Sequence, residues 1–144
     1  MAGQTYWEDV AEGMMLPPLA KRATTRQLVQ YAGASLDFYE IHYDKDFALT
    51  NGLPNVVVHG ALKSAWLVQM VTEWAGPAAV VRKLATRYRD MDVANDPLLC
   101  QGRVTKKYRE SGLALVECDV WLENGRGQRT TDGSIVVELL GRRA

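Results

Sequence analysis

The stretch Gly60 to Ala75, GALKSAWLVQMVTEWA, most restricts what this chain can fold into. Leu62, Ala65, Trp66, Gln69, Met70 and either Glu73 or Trp74 fall at helical spacing on one face, while Ala61, Leu67, Val68 and Val71 make the helix apolar nearly all round. A helix of that kind must be covered on several sides. It opens at Gly60 and stops at Gly76-Pro77, which cannot continue it. The cover has to come from downstream. Val80 to Met91, Leu98 to Tyr108, Leu113 to Glu123 and Thr130 to Leu140 read as strands. Between them lie Ala94-Asn95-Asp96-Pro97, Ser111-Gly112 and Asn124-Gly125-Arg126-Gly127, turn chemistries that predict antiparallel neighbours. Helices first and a strand meander afterwards predict an α+β domain whose antiparallel sheet wraps round one long central helix.

At 144 residues the chain fits one domain, 1–144. Upstream of the central helix, Leu16-Pro17-Pro18-Leu19 is extended and leads to a short edge strand near Leu19 to Ala23. Thr24 or Thr25 then caps a helix carrying Leu28, Val29, Ala32 and Leu36. Asp37 to Pro54 has no sustained period, with one helical turn expected around Lys45 to Leu49, and Asn55 to Val58 is a short β-branched run. Along Leu113 to Val120 the alternation is clean only in its second half. The first half is apolar on both faces, which favours a subunit interface over a wet outer face.

Seventeen basic and seventeen acidic residues cancel, so nothing suggests nucleic acid or a membrane surface as partner. The densest basic stretch, Arg82 to Arg89, reads as the solvated edge of a strand. Cys100 and Cys118 show no CxxC or Cys/His ligand spacing, which predicts buried, reduced thiols and no metal site. The opening MAGQTYWEDVAEG lacks a basic and an apolar signal region, and no apolar run approaches the ~20 residues that span a bilayer. A cytoplasmic location is expected.

The segment between the two helices concentrates the chemistry. Asp37 and His42 stand five residues apart, with Glu40 and Asp44 close by. An imidazole beside a carboxylate can give or take a proton at neutral pH, although D-x4-H by itself also fits a surface His paired with an acid. Gly60 opens the long helix, where free N–H groups can receive negative charge and the missing Cβ admits an oxygen; equally, it can simply relieve a tight corner. His59 reads as an orienting or cap-side residue. Neither Ser35 nor Ser64 has a nucleophile context, and no P-loop or G-x-G-x-x-G is present. General acid–base chemistry with carbonyl polarisation is the class best supported.

At these residues the chain resembles the MaoC-like, hot-dog-fold (R)-specific enoyl-CoA hydratases and 3-hydroxyacyl-thioester dehydratases. Their motif, approximately Y-[AS]-x-x-[ST]-x-D-[FL]-N-P-[IL]-H-x-D, appears as YAGASLDFYEIHYD from Tyr31 to Asp44, and a second block appears as VVVHGAL from Val56 to Leu62. The opening YWEDVAEGMMLP is also similar. The resemblance implies a hot-dog domain in which Asp37 and His42 hold the water and the Gly60 N–H donates to the thioester oxygen. Tyr39, His59 and Trp66 are then candidates for contacting substrate. It further implies an acyl-CoA substrate, no metal or redox cofactor, and a homodimer or a heterodimer with another hot-dog subunit. A thioesterase of the same fold and a non-catalytic thioester-binding subunit are the alternatives. There are two departures: Tyr39-Glu40 replaces the usual Asn-Pro, which bears on substrate shape, and Asn95-Asp96-Pro97 stands where Pro-Gly-Asp is common.

Overall fold

The apolar segment forms a helix, α3, with the expected bounds Gly60–Ala75, in a computed structural model that describes residues 3–142. Five antiparallel strands surround it: β1 (Leu19–Lys21), β2 (Val80–Tyr88), β3 (Leu98–Glu110), β4 (Leu113–Asn124) and β5 (Arg129–Glu138). Their order across the sheet is β1-β3-β4-β5-β2, and β2 to β5 all touch α3. This is the hot-dog wrap. Leu67 and Val71 of the helix are fully buried with Val116, Cys118, Leu122, Ile135 and Val137 of the strands. Gly102 on β3 leaves the space that the Met70 side chain occupies, since a Cβ there would stand 3.0 Å from its Cε.

Two expectations about packing are corrected. The buried side of α3 is centred on Lys63, Leu67, Met70 and Val71, whereas Ala65 and Glu73 of the expected face are exposed. An all-round apolar helix carries no preferred face in its sequence, so the sheet selects one. The second correction concerns the meander. Only β3, β4 and β5 are joined as sequential neighbours; β2 pairs with β5 at the far edge, and Ala94 to Pro97 is part of a crossover. There Asn95, at φ 70°, donates its N–H to the Ala23 carbonyl at 2.7 Å. Turn residues report a change of direction and not which strand comes to lie alongside.

The helical layer follows expectation more closely. Thr24 caps α1 (Thr25–Ser35) by accepting from the Gln27 N–H at 3.1 Å, and Leu28 and Ala32 are buried. Val29 and Leu36 of the expected apolar set are exposed. A 3-10 turn at Glu40–His42 and a helix α2 at Lys45–Thr50, capped by Asp44, order the irregular segment. Leu115, on the outer face of β4, is covered by this chain's own N-terminal segment, whose Trp7 indole donates to the Leu115 carbonyl at 3.2 Å. The doubly apolar half of β4 therefore does not by itself call for a second subunit. Burial pushes both cysteine thiols up to about 12, which makes them inert apolar side chains. Among the described residues, no helix is long and apolar enough to cross a membrane.

Candidate active site

Asp37 is delivered by the way α1 ends. Leu36 takes a left-handed conformation, φ 60°, that costs a branched residue about 1–2 kcal/mol. The Ser35 hydroxyl donates to the Tyr31 carbonyl at 2.7 Å and lies 3.3 Å from the Asp37 N–H. The chain thus turns sharply and sets the Asp37 carboxylate, half-exposed, 3.6 Å from His42 Nε2.

His42 is held from its other side. Its Nδ1 lies 2.7 Å from the Val57 carbonyl oxygen. A carbonyl only accepts, so Nδ1 carries the proton and Nε2 of the neutral ring presents a lone pair towards Asp37. The Val57 N–H in turn donates to the Ile41 carbonyl at 2.9 Å, so the 3-10 turn and the Val56 to Val58 run clasp each other. At 3.6 Å the carboxylate and Nε2 are too far apart for a good hydrogen bond, but well placed to accept the two hydrogens of one water.

His59 precedes α3 without capping it by a side-chain hydrogen bond. Its ring is fully buried and stacks on His42, centroids 3.8 Å apart and 18° from parallel, with the Tyr31 ring edge-on at 4.8 Å. Neither ring nitrogen has a hydrogen-bond partner among the described residues. Burial, and secondarily the neighbouring His42, pushes the His59 imidazole below its ordinary 6.5, against a smaller opposing pull from Asp37. In the unfolded chain His59 binds its proton near 6.5, and in the fold only at lower pH. Between those two values the unfolded state holds more protons. The stability gained from neutral His59 is therefore complete above about 6.5 and lost as pH falls through the folded value. The urea midpoint is expected to drop between about pH 7.5 and 5.5. His59→Phe keeps a stacked ring without a titrating nitrogen and should flatten part of that drop; an unchanged slope would assign the titration to another group.

Gly60 begins α3, so its N–H has no acceptor within the helix. The absent Cβ is explained locally: a side chain there would meet the Tyr88 ring at 2.8 Å. Tyr88 is anchored by its hydroxyl, 2.7 Å from Ser64 Oγ. The tight-corner reading of Gly60 thus has a named cause, and the N–H, which points along the helix axis, is left open. His42, Gly60, Lys63, Tyr88 and Met91 line one cavity of about 160 Å³. Larger hollows lie elsewhere, one of about 400 Å³ between Gln4, Pro17, Met70 and Trp74, but they are lined by neither His42 nor Gly60.

Tyr39 is half-exposed at the mouth of the site, its ring perpendicular to His42 at 6.3 Å. Glu40 is exposed and opens the 3-10 turn. Trp66 is not brought to the cavity: it is buried in the core, with the Lys21 ammonium 5.9 Å from its ring. One ligand atom each from Asp37, His42 and His59 lies within 4.8 Å of the others, which resembles a metal triad. Stacked imidazoles, however, keep their in-plane lone pairs in two nearly parallel planes with centroids 3.8 Å apart, a poor arrangement for aiming both at one ion. Lys63 and Asp92, which line or adjoin the site, are functional candidates that local pattern missed. A lone Lys inside an apolar helix is the one signal that would have marked them.

An antiparallel sheet wrapped on a central helix defines a hot-dog domain, and in this one a carboxylate–imidazole pair lies beside the helix start. The chain belongs to the MaoC like domain family, whose match covers residues 10–119. It is 30% identical over 93 residues, 65% of this chain and 72% of the relative, to the 3-oxo-4,17-pregnadiene-20-carboxyl-CoA hydratase beta subunit of Mycobacterium tuberculosis. It is 27% identical over 85 residues, 58% of each chain, to an (R)-specific enoyl-CoA hydratase of Rhodospirillum rubrum. The unliganded R-hydratase PhaJ1 of Pseudomonas aeruginosa superposes with a TM-score of 0.87 at 20% identity, over 95% of this chain and 86% of that one.

Proposed function

We propose that this protein catalyses the reversible addition of water to a trans-2-enoyl-CoA, giving the (R)-3-hydroxyacyl-CoA. The observation that carries the reading is the locked tautomer of His42, whose Nε2 lone pair and the Asp37 carboxylate can accept both hydrogens of one water. Such a water presents its oxygen lone pairs outward, towards C3 of the enoyl group. As the C3–O bond forms, one water proton passes to the pair, the thioester oxygen gains negative charge, and the Gly60 N–H donates to it. The proton is returned to C2. No electrons are transferred, so the chemistry calls for no redox cofactor, and coenzyme A enters only as the handle of the substrate.

The half-exposed Tyr39 sits where it can contact the acyl group, and the unpartnered length of β2, with Val80, Leu84 and Tyr88 exposed, suits pairing with a second hot-dog subunit. That partner is either a second copy or a different chain. The beta-subunit relative favours a second reading, in which this chain completes the site of a heteromeric hydratase. Purified protein should hydrate crotonyl-CoA or a longer enoyl-CoA without releasing free CoA to a thiol reagent. Release of CoA would mark a thioesterase, and inactivity restored by a partner chain would mark the second reading. Enoyl-CoA esters of graded length, one steroid thioester and a measured oligomeric mass would define substrate and assembly.

A further inference from the structure

The site has a buried ion pair in its wall that water activation does not use. Lys63, on the first turn of α3, and Asp92, in the crossover after β2, are 2% and 3% exposed. The ammonium donates to Asp92 Oδ2 at 2.9 Å and to the Asp90 carbonyl at 3.0 Å, and it lies 5.7 Å from the centre of the Tyr88 ring. The same Oδ2 accepts from the Thr130 hydroxyl at 2.6 Å. Pairs of this kind add little net stability, because desolvation of both charges offsets their attraction; apolar replacements of similar volume are often neutral or better. Its location is more informative than its strength.

The backbone around Asp92 is tied to both halves of the machinery. The Asp92 carbonyl accepts from the Val58 N–H at 2.8 Å, Val57 bridges Val93, and the Ala94 N–H donates to the Val56 carbonyl at 2.9 Å. Val57 holds the His42 ring, and Val58 leads through His59 into Gly60. Lys63 closes this circuit from the helix side and supports Tyr88, whose ring lies against Gly60. We propose that Lys63, clamped by Asp92, is a positioning residue that fixes the start of α3, and with it the Gly60 N–H, relative to His42. The proposal rests on the hydratase reading for its kinetic consequence, but not for its structural one.

Removing Lys63 alone would strand the Asp92 charge, so the test uses Lys63→Met with Asp92→Asn, which is uncharged, similar in volume and still able to accept from Thr130. With the melting temperature near wild type, kcat for enoyl-CoA hydration should fall about 10- to 100-fold, as expected for a reacting geometry displaced by about 1 Å, with KM changed by less than about threefold. Amide hydrogen exchange should quicken at Gly60 to Lys63 while strands β3 to β5 keep their protection. Wild-type kcat together with unchanged exchange at the helix start would overturn the clamp, as would a loss of protection spread evenly through the sheet. If the wild type proves inactive on enoyl-CoA, the hydratase reading fails and the exchange pattern alone decides for or against the clamp.

Discussion

On the proposed hydratase reading, Asp37→Asn should lower kcat for crotonyl-CoA hydration by about 10³-fold and leave the thermal transition nearly unchanged, because general-base groups contribute on the order of 10²–10⁴-fold. Asp37 is half-exposed, so its removal creates no cavity. The amide retains an oxygen in the place of Oδ1, the atom that lies 3.4 Å from the Tyr39 N–H. What it loses is the second acceptor for the water. An effect confined to kcat, with KM little altered, would be the mark of an interaction made in the transition state. His42→Ala should be at least as damaging to turnover. It also leaves the Val57 carbonyl without its donor and bares one face of the buried His59 ring, at a cost of about 1–3 kcal/mol. The Asp37 variant is therefore the cleaner one. Turnover within tenfold of wild type in Asp37→Asn would remove this carboxylate from the mechanism.

Lys63→Met alone is expected to destabilise the fold by about 3–5 kcal/mol, read from urea denaturation, because it buries an uncompensated Asp92 carboxylate. Both side chains of the pair are at most 3% exposed, so water cannot take over the lost contact. Arg89, just past β2, and Asp132 on β5 give the contrast. They form an ion pair of similar length, 3.0 Å, yet are 48% and 37% exposed, and cutting it should change stability by no more than about 1 kcal/mol. Equal effects of the two cuts would mean that solvent reaches Asp92. The ends of the basic run from Arg82 to Arg89 are of this exposed type: Arg82 on β2 pairs with Glu138 of β5, and Arg89, just past β2, pairs with Asp132.

Much of the architecture was legible in the residues because it is local. The bounds of α3, the Thr24 cap, the strand runs and the breaks between them follow from side-chain period, capping chemistry and turn residues, each of which acts over a few positions. The motif from Tyr31 to Asp44 likewise places Asp37 and His42 within reach of one another through a short, sharply turned segment. The role expected of Trp66 was less accessible. Helical spacing puts it on a face shared with Met70, but only the sheet decides that this face lies in the core, away from His42.

The central helix and the α+β order were determined by the sequence alone, since capping chemistry and hydrophobic period specify them, whereas the pairing of Asp37 with His42 was implied by the resemblance of the Tyr31 to Asp44 motif to its family. Tertiary structure decided that β2 would lie beside β5 and not β3, that His59 would stack on His42, and that Tyr88 would occupy the space above Gly60. It also decided that Lys63 would meet Asp92, 29 residues away. Contacts at such separations depend on how the whole sheet closes round the helix, and no periodicity within either segment encodes the partner.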